Sequence, residues 1–390
     1  MDPTREANRA EQGGRRAAPP GNITDPESRF SWRRWIRPVV YVIYGLLVAA
    51  ATPFAIIDFT SAEKEEKFKR TLAFAGFFGV AISIPISLWG LINHMIYFTR
   101  PSLQKHIIRI LWMVPIYVLM SWFALRFPDN EIYFDTIREL YKAFVVYNFV
   151  YYLVAFFDEV PDFDARLAMK AEVKYPRPLC FIKKVPTKRM IRRCQIAVLS
   201  YAAVRILSTI VTIVTHITGS YDEGDFSVNN FYLWVTTIVT ISQIYAMFCK
   251  NLLRRATLDE LKLLPRSTLQ FVAVQFVVFV TNFQATILNL LANNGVMKTK
   301  PEWGFKDDIA FATMLQDLLI CLEMVPYAFL FTYSFDYQRY DTDEPKLSIA
   351  QILKHMWTIS DVKTSVMKHL RTRGGCMQMK KLLMNIQHIT

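Results

Sequence analysis

Residues Ile309 to Tyr333 read IAFATMLQDLLICLEMVPYAFLFTY. The stretch is long and apolar enough to cross a bilayer as a helix, which takes about 20 residues. It nevertheless carries Asp317 and Glu323, and a carboxylate at the bilayer centre costs roughly 2.5–3.5 kcal/mol even on the mildest scale. The rest of the chain must supply a partner, a cavity or a substrate for these two acids.

Seven further apolar blocks accompany this one: Val39–Ile57, Leu72–Tyr97, Ile107–Phe127, Glu139–Phe157, Ile196–Thr218, Asn230–Leu252 and Leu269–Leu291. The fourth is the weakest, because Glu139 and Lys142 enter its first turn. A soluble domain spreads its apolar residues in short periodic patches, whereas these run in membrane-length blocks. The fold class expected is all-α: a polytopic membrane protein with a seven-helix core over 72–335 and one additional N-terminal hydrophobic helix over 38–58. Residues 1–37 are polar and basic and read as disordered. Residues 336–390 form a basic tail, and SIAQILKHMWTISDVKTSVMKHL within it has the spacing of an amphipathic helix lying on a membrane surface.

The net charge of +13 is topological rather than a nucleic-acid footprint. Ten basic residues fall between Arg166 and Arg193, five between Lys250 and Arg266 and nine after Asp336, while SYDEGDFS holds none. By the positive-inside rule the basic loops and the C-terminus face the cytoplasm. An uncut first helix then places the N-terminus there too; a signal-like helix cut near Ala49–Ala51 is the alternative. Either way the sequon at Asn22 is expected to stay unglycosylated. A glycosidase should therefore leave the protein's mass unchanged, and a shift abolished by Asn22→Gln would overturn the topology. The cysteines lie in the cytoplasmic or membrane segments, so no disulfides are expected.

Four blocks carry polar residues at helical spacing: Arg205, Thr209, Thr212 and His216; Tyr232, Thr236, Thr240 and Gln243; Gln275, Asn282, Thr286 and Asn289; Thr313, Gln316 and Glu323. Surrounded by lipid, such stripes face one another or a water-filled interior. Helical rise puts Arg205 and Glu323 at one depth, which predicts an ion pair between them, with Asp317 in a hydrated vestibule. The expected polar path is Arg205, Gln243, Gln284, Asp317 and Glu323, with Tyr147 and Asn148 setting helix packing. HExxH, GxSxG and Walker-type loops are absent from the sequence, and no enzyme, metal site or cofactor is expected.

The pattern QDLLICLEM (Gln316–Met324) resembles the last helix of the organic solute transporter alpha-subunit family, which includes the transmembrane protein 184 group and the plant Lazarus proteins. Further stretches resemble that family in the same order: RILWMVPIYVLMSW, RELYKAFVVYNF, Arg205, then Tyr221, Gly224 and Phe226 of the SYDEGDFS loop, FVVFVTNFQA with Phe279 and Gln284, and DVKTSVMKHL. The resemblance implies seven helices and, in the transporter branch, facilitated movement of amphipathic organic anions such as steroid or bile-acid conjugates with a single-pass partner subunit. For this chain, which lacks an ATP-binding motif, the expectation is passive or ion-coupled movement of amphipathic organic solutes, steroid, bile-acid or lipid-like, with a single-pass partner subunit or as a homo-oligomer. Membrane lipids are the other expected partner. Met120 and Gln275 depart from the family pattern, and Gln275 removes a positive charge that relatives carry. The cytoplasmic cysteine cluster, a lipidation site in relatives, is reduced to Cys180, which the resemblance makes the candidate lipidation residue. A seven-helix receptor or endosomal trafficking adaptor acting through the tail is the competing expectation, in the plasma or an endosomal membrane.

Overall fold

The computed structural model describes residues 32–63, 66–169, 187–221, 227–342 and 347–357. Among these residues the regular structure is helical throughout, with eight helical spans long and apolar enough to cross a membrane. The spans are α1 (Trp32–Thr60), α2 (Lys67–Ile96), α3 and α4 together (Pro101–Leu111 and Met113–Arg126), α5 (Glu131–Glu159), α7 (Thr187–Ile217), α8 (Phe231–Ala256), α10 (Ser267–Asn293) and α11 (Asp308–Ser334). Short helices α6 (Phe163–Met169), α9 (Leu258–Leu261) and α12 (Ile349–Trp357) fill the connections and the start of the tail. Each apolar block of the sequence falls within one span to within a single residue.

Local chemistry sets several boundaries. Asp307 caps α11 by accepting from the Ala310 amide at 2.7 Å, and Asn230 caps α8 by accepting from the Tyr232 amide at 3.0 Å. Each satisfies one of the amides left open at a helix start. Pro85 and Pro326 sit inside continuous helices, where membrane bundles tolerate proline because neighbouring groups satisfy the freed carbonyls. Pro85 lacks an amide hydrogen, which frees the Ala81 carbonyl one turn earlier. The Tyr44 hydroxyl of α1 donates to that carbonyl at 3.1 Å, and the Tyr41 hydroxyl donates to Pro85 O at 3.0 Å. Pro115 coincides with a real break: the third span is interrupted at Trp112, between α3 and α4.

The core lies where α2, α4, α5 and α11 meet, with α10 beside them. Tyr117, Val118, Phe149, Val150, Val274, Ile320 and Met324 are buried there. α2 reaches α11 through a stripe of small residues, Gly76, Gly79, Ser83, Ser87 and Gly90, spaced along one helix face. Such stripes let two membrane helices approach closely. α7 packs on α5 and α8 packs on α7, while α10 packs on α11. α8 and α10 are in only sparse contact with each other. Apolar rows on their outer faces, including Ile238, Ile241 and Ile244 on α8 and Phe276, Phe279 and Phe283 on α10, remain exposed. In a soluble protein rows of this size would drive aggregation; here they are the lipid surface.

Asn148 is buried at the α3–α5 contact, where its Oδ1 accepts from Arg109 Nη1 at 3.2 Å and lies 2.9 Å from His106 Nδ1. Tyr147 is buried and stacks on Tyr151 at 4.3 Å. The described part of the tail helix docks on α3: Ile352 is fully buried, and Arg109 Nε donates to Met356 O at 3.2 Å. The remainder of the tail, the residues before Trp32, Cys180 and most of the SYDEGDFS loop lie outside the described residues.

Candidate functional site

A cavity of about 540 Å³ lies between α5, α7, α8, α10 and α11, at the end of the bundle where α5, α8 and α11 begin. Its walls are the polar stripes. Thr209 and Thr212 come from α7, Tyr232, Thr236 and Thr240 from α8, Asn282, Thr286 and Asn289 from α10, and Thr313 and Gln316 from α11. Val235, Val239, Ala285 and Leu290 supply apolar ground between them. Hydroxyls and amides can donate and accept, so this lining suits solutes that carry both kinds of group. A second cavity of about 260 Å³, lined by Asn251, Arg254, Phe271, Gln275, Phe276 and Phe279, sits at the opposite end of the same helices. The two cavities place open space at both ends of α8 and α10.

The deep end of the vestibule is charged, and α5 supplies most of the charge. Asp135, Arg138, Glu139 and Lys142 stand at helical spacing, so one face of α5 presents all four. Arg205 Nη2 of α7 donates to Glu139 Oε2 at 2.8 Å, and Lys142 Nζ donates to Glu139 Oε1 at 2.5 Å. Lys142, itself fully buried, also donates to Asn282 Oδ1 of α10 at 2.5 Å. Arg138 donates to Asp135 Oδ1 at 2.6 Å, to Asp317 Oδ1 of α11 and to Ser121 Oγ of α4. Each of the three cations thus holds at least one carboxylate. The ion pairs join α5 to α7 and α11, and hydrogen bonds extend the network to α4 and α10. Tyr201 on α7 donates to Gln243 Oε1 on α8 at 3.2 Å, just beside it.

Of the residues expected to form the polar path, Arg205 and Gln243 line the vestibule. Asp317, Gln284 and Glu323 are not among its lining residues. The expected Arg205–Glu323 pair is corrected: the acid bound to Arg205 is Glu139. Equal depth fixes how far into the membrane a side chain sits but not which way it points. The expected hydrated setting of Asp317 is corrected as well, since that side chain is 1% exposed and bonded to Arg138. Glu323 is half-buried at the α10–α11 contact and accepts from Gln284 Nε2, away from the vestibule. His216 and Gln275, members of two of the stripes, also lie outside it.

Asp135, Arg138, Glu139 and Lys142 are missing from the expected polar path, where hydropathy registers Glu139 and Lys142 only as a weak first turn. A span starting at Glu139 puts Glu139 and Lys142 in its first turn, whereas α5 starts at Glu131 and carries all four charges roughly one to three turns inside it. The alternation of acid and base in DTIRELYK, spaced along one helical face, was the available signal.

Polar stripes from four helices thus enclose one chamber with a compensated charge network at its base, inside a bundle clad in apolar residues. No solved structure matches the chain. The family model of the organic solute transporter Ostalpha matches residues 71–340, taking in α2 through α11, every element that builds the vestibule. The chain is an integral membrane protein belonging to the Ostalpha organic solute transporter family, a membrane protein of the solute-transporter type.

Proposed function

We propose that the protein moves amphipathic organic solutes, steroid-, bile-acid- or lipid-like, through the vestibule, by passive or ion-coupled transport. The observation that carries this reading is the union of four polar stripes around a single 540 Å³ chamber within an apolar bundle. A purely structural helix contact would close such stripes on one another rather than leave space between them. The sparse contact between α8 and α10 gives an amphiphile a side entrance. Its apolar body can follow Phe279 and Phe283 while its head reaches Thr240 and Asn282. Loop charge supports a vestibule mouth on the exterior or luminal side and a cytoplasmic C-terminus. The setting is the plasma membrane or an endosomal membrane, with a single-pass subunit or a second copy as partner. The sequence has no nucleotide-binding loop, so this chain draws no energy from ATP.

The test is uptake into vesicles from cells expressing the full chain, where any partner subunit is retained. The probes are two labelled molecules sharing a cholane nucleus, taurocholate with an anionic head and its ammonio-sulfonate counterpart with a zwitterionic one. Uptake of at least one above vesicles lacking the protein is expected. Thr236→Trp, which places an indole in the chamber, should reduce it at least tenfold. Uptake of both probes no greater than in vesicles lacking the protein would overturn the reading.

A further inference from the structure

We infer that the vestibule selects amphiphiles whose polar head carries no net charge, zwitterionic or hydroxyl- and amide-rich, over organic anions. The inference rests on the transport reading above and narrows it to a class of head group.

Its basis is the charge balance at the chamber's base. Three cations reach that region, Arg138, Lys142 and Arg205, and each is held by a carboxylate. Glu139 holds two of them at once, and Asp135 and Asp317 share the third. Among the described residues, three positive charges therefore face three negative ones, with Arg138 and Lys142 almost wholly shielded from solvent. The rest of the described lining is hydroxyl, amide and apolar.

An incoming anion has two options in such a chamber. It can displace Glu139 from Arg205 and Lys142, which leaves that carboxylate without a cation at the chamber's base. Alternatively it can lie against neutral threonines and asparagines with no countercharge. Both leave a charge uncompensated in a poorly solvated place, the situation that buried ion pairs avoid. A neutral or zwitterionic head needs neither rearrangement, because paired hydroxyls and amides serve its donors and acceptors together. Selectivity of this kind comes from penalising the wrong solute as much as from welcoming the right one.

Glu139 is the residue on which the balance turns. Removing its charge would leave Arg205 and Lys142 with Asn282 and a neutral amide, and the chamber would become an anion site.

Equilibrium binding of the same two cholane probes to the full chain tests this, in nanodiscs of phosphatidylcholine and below the probes' micellar concentrations. The zwitterionic probe should bind the wild type at least tenfold more tightly than taurocholate, and Thr236→Trp should lose that binding. Glu139→Gln should shift the ratio at least tenfold toward taurocholate, its fold being checked by monodisperse elution. Should that variant not fold, Asn289→Lys adds a cation to the α10 wall without touching the network and should shift the ratio the same way. If the wild type binds taurocholate as tightly as the zwitterion, and Thr236→Trp removes both, the charge inference is overturned and the transport reading stands. A ratio unmoved in whichever of the two charge variants folds also overturns it. Binding of neither probe sinks both.

Discussion

Arg138→Met is expected to lower the unfolding midpoint of the detergent-solubilised chain by roughly 10 °C. Arg138 is 4% exposed at its side chain, and its guanidinium binds Asp135, Asp317 and Ser121 together. Methionine fills similar volume without a charge, so the change leaves Asp317, 1% exposed, facing Asp135 with no cation between them. Breaking a buried pair by removing one partner typically costs about 3–5 kcal/mol, because the remaining charge stays desolvated. The midpoint moves by roughly 2–4 °C per kcal/mol in domains of 150–250 residues and by roughly 2 °C in the larger core here. The two partners should not be equivalent. Asp317→Asn leaves Arg138 bound to Asp135, so its loss should be less than half as large. Arg138→Met combined with Asp317→Leu removes both buried charges, and the double variant should recover at least half of the single variant's loss. Asp135 retains partial access to the vestibule and tolerates the change, its side chain being 19% exposed. Fluorescence-detected elution after a heating series measures all three midpoints. An Arg138→Met midpoint equal to that of Asp317→Asn would show that the network does not carry α4, α5 and α11 as described.

The same network marks the limit of what the chain reveals before it folds. Membrane helices advertise themselves in one dimension, because every backbone polar group is satisfied within the helix and only a run of apolar side chains is required. All eight spans were legible for that reason, and so were the stripes on α7, α8, α10 and α11, since helical spacing alone puts their members on common faces. Contacts between helices depend on azimuth and neighbour order, which hydropathy does not carry. Gln284 shows the difference: it follows Asn282 by two residues, about 200° around the helix. Asn282 therefore turns into the vestibule while Gln284 turns to Glu323 on α11. Charged residues also count against a span in any apolar window, so the most polar face of α5 was assigned to its end rather than to its interior. The feature most diagnostic of the chamber was hidden by the criterion that found the helices.

Gly79→Ala should be among the most damaging single-methyl additions to this protein, costing about 3 kcal/mol at the upper end of what overpacking usually costs. A Cβ at Gly79 would lie 2.3 Å from the Cys321 carbonyl oxygen and 2.8 Å from its carbon. Those atoms belong to the backbone of α11, which cannot rotate away as a side chain can. Relief requires α2 and α11 to separate, and the separation would loosen Ile320 and Met324 from the core they share with α4 and α5. Two other glycines provide internal controls, since alanine is intrinsically favoured over glycine in a helix interior by roughly 0.5–1 kcal/mol. At Gly76 the new methyl meets Leu125 Cδ1 at 2.7 Å, the end of a flexible side chain that can change rotamer, so a loss below ~1 kcal/mol is expected. At Gly45 on α1 nothing lies within 4 Å, and Gly45→Ala should match or exceed the wild type. Midpoints of the three variants under identical detergent conditions should therefore fall in the order Gly45→Ala, Gly76→Ala, Gly79→Ala, with the last lower than wild type by roughly 6 °C. A Gly79→Ala midpoint level with that of Gly45→Ala would mean that the two helices do not approach so closely, and the position of Asp317 opposite Arg138, which hangs from the same stretch of α11, would need to be redrawn.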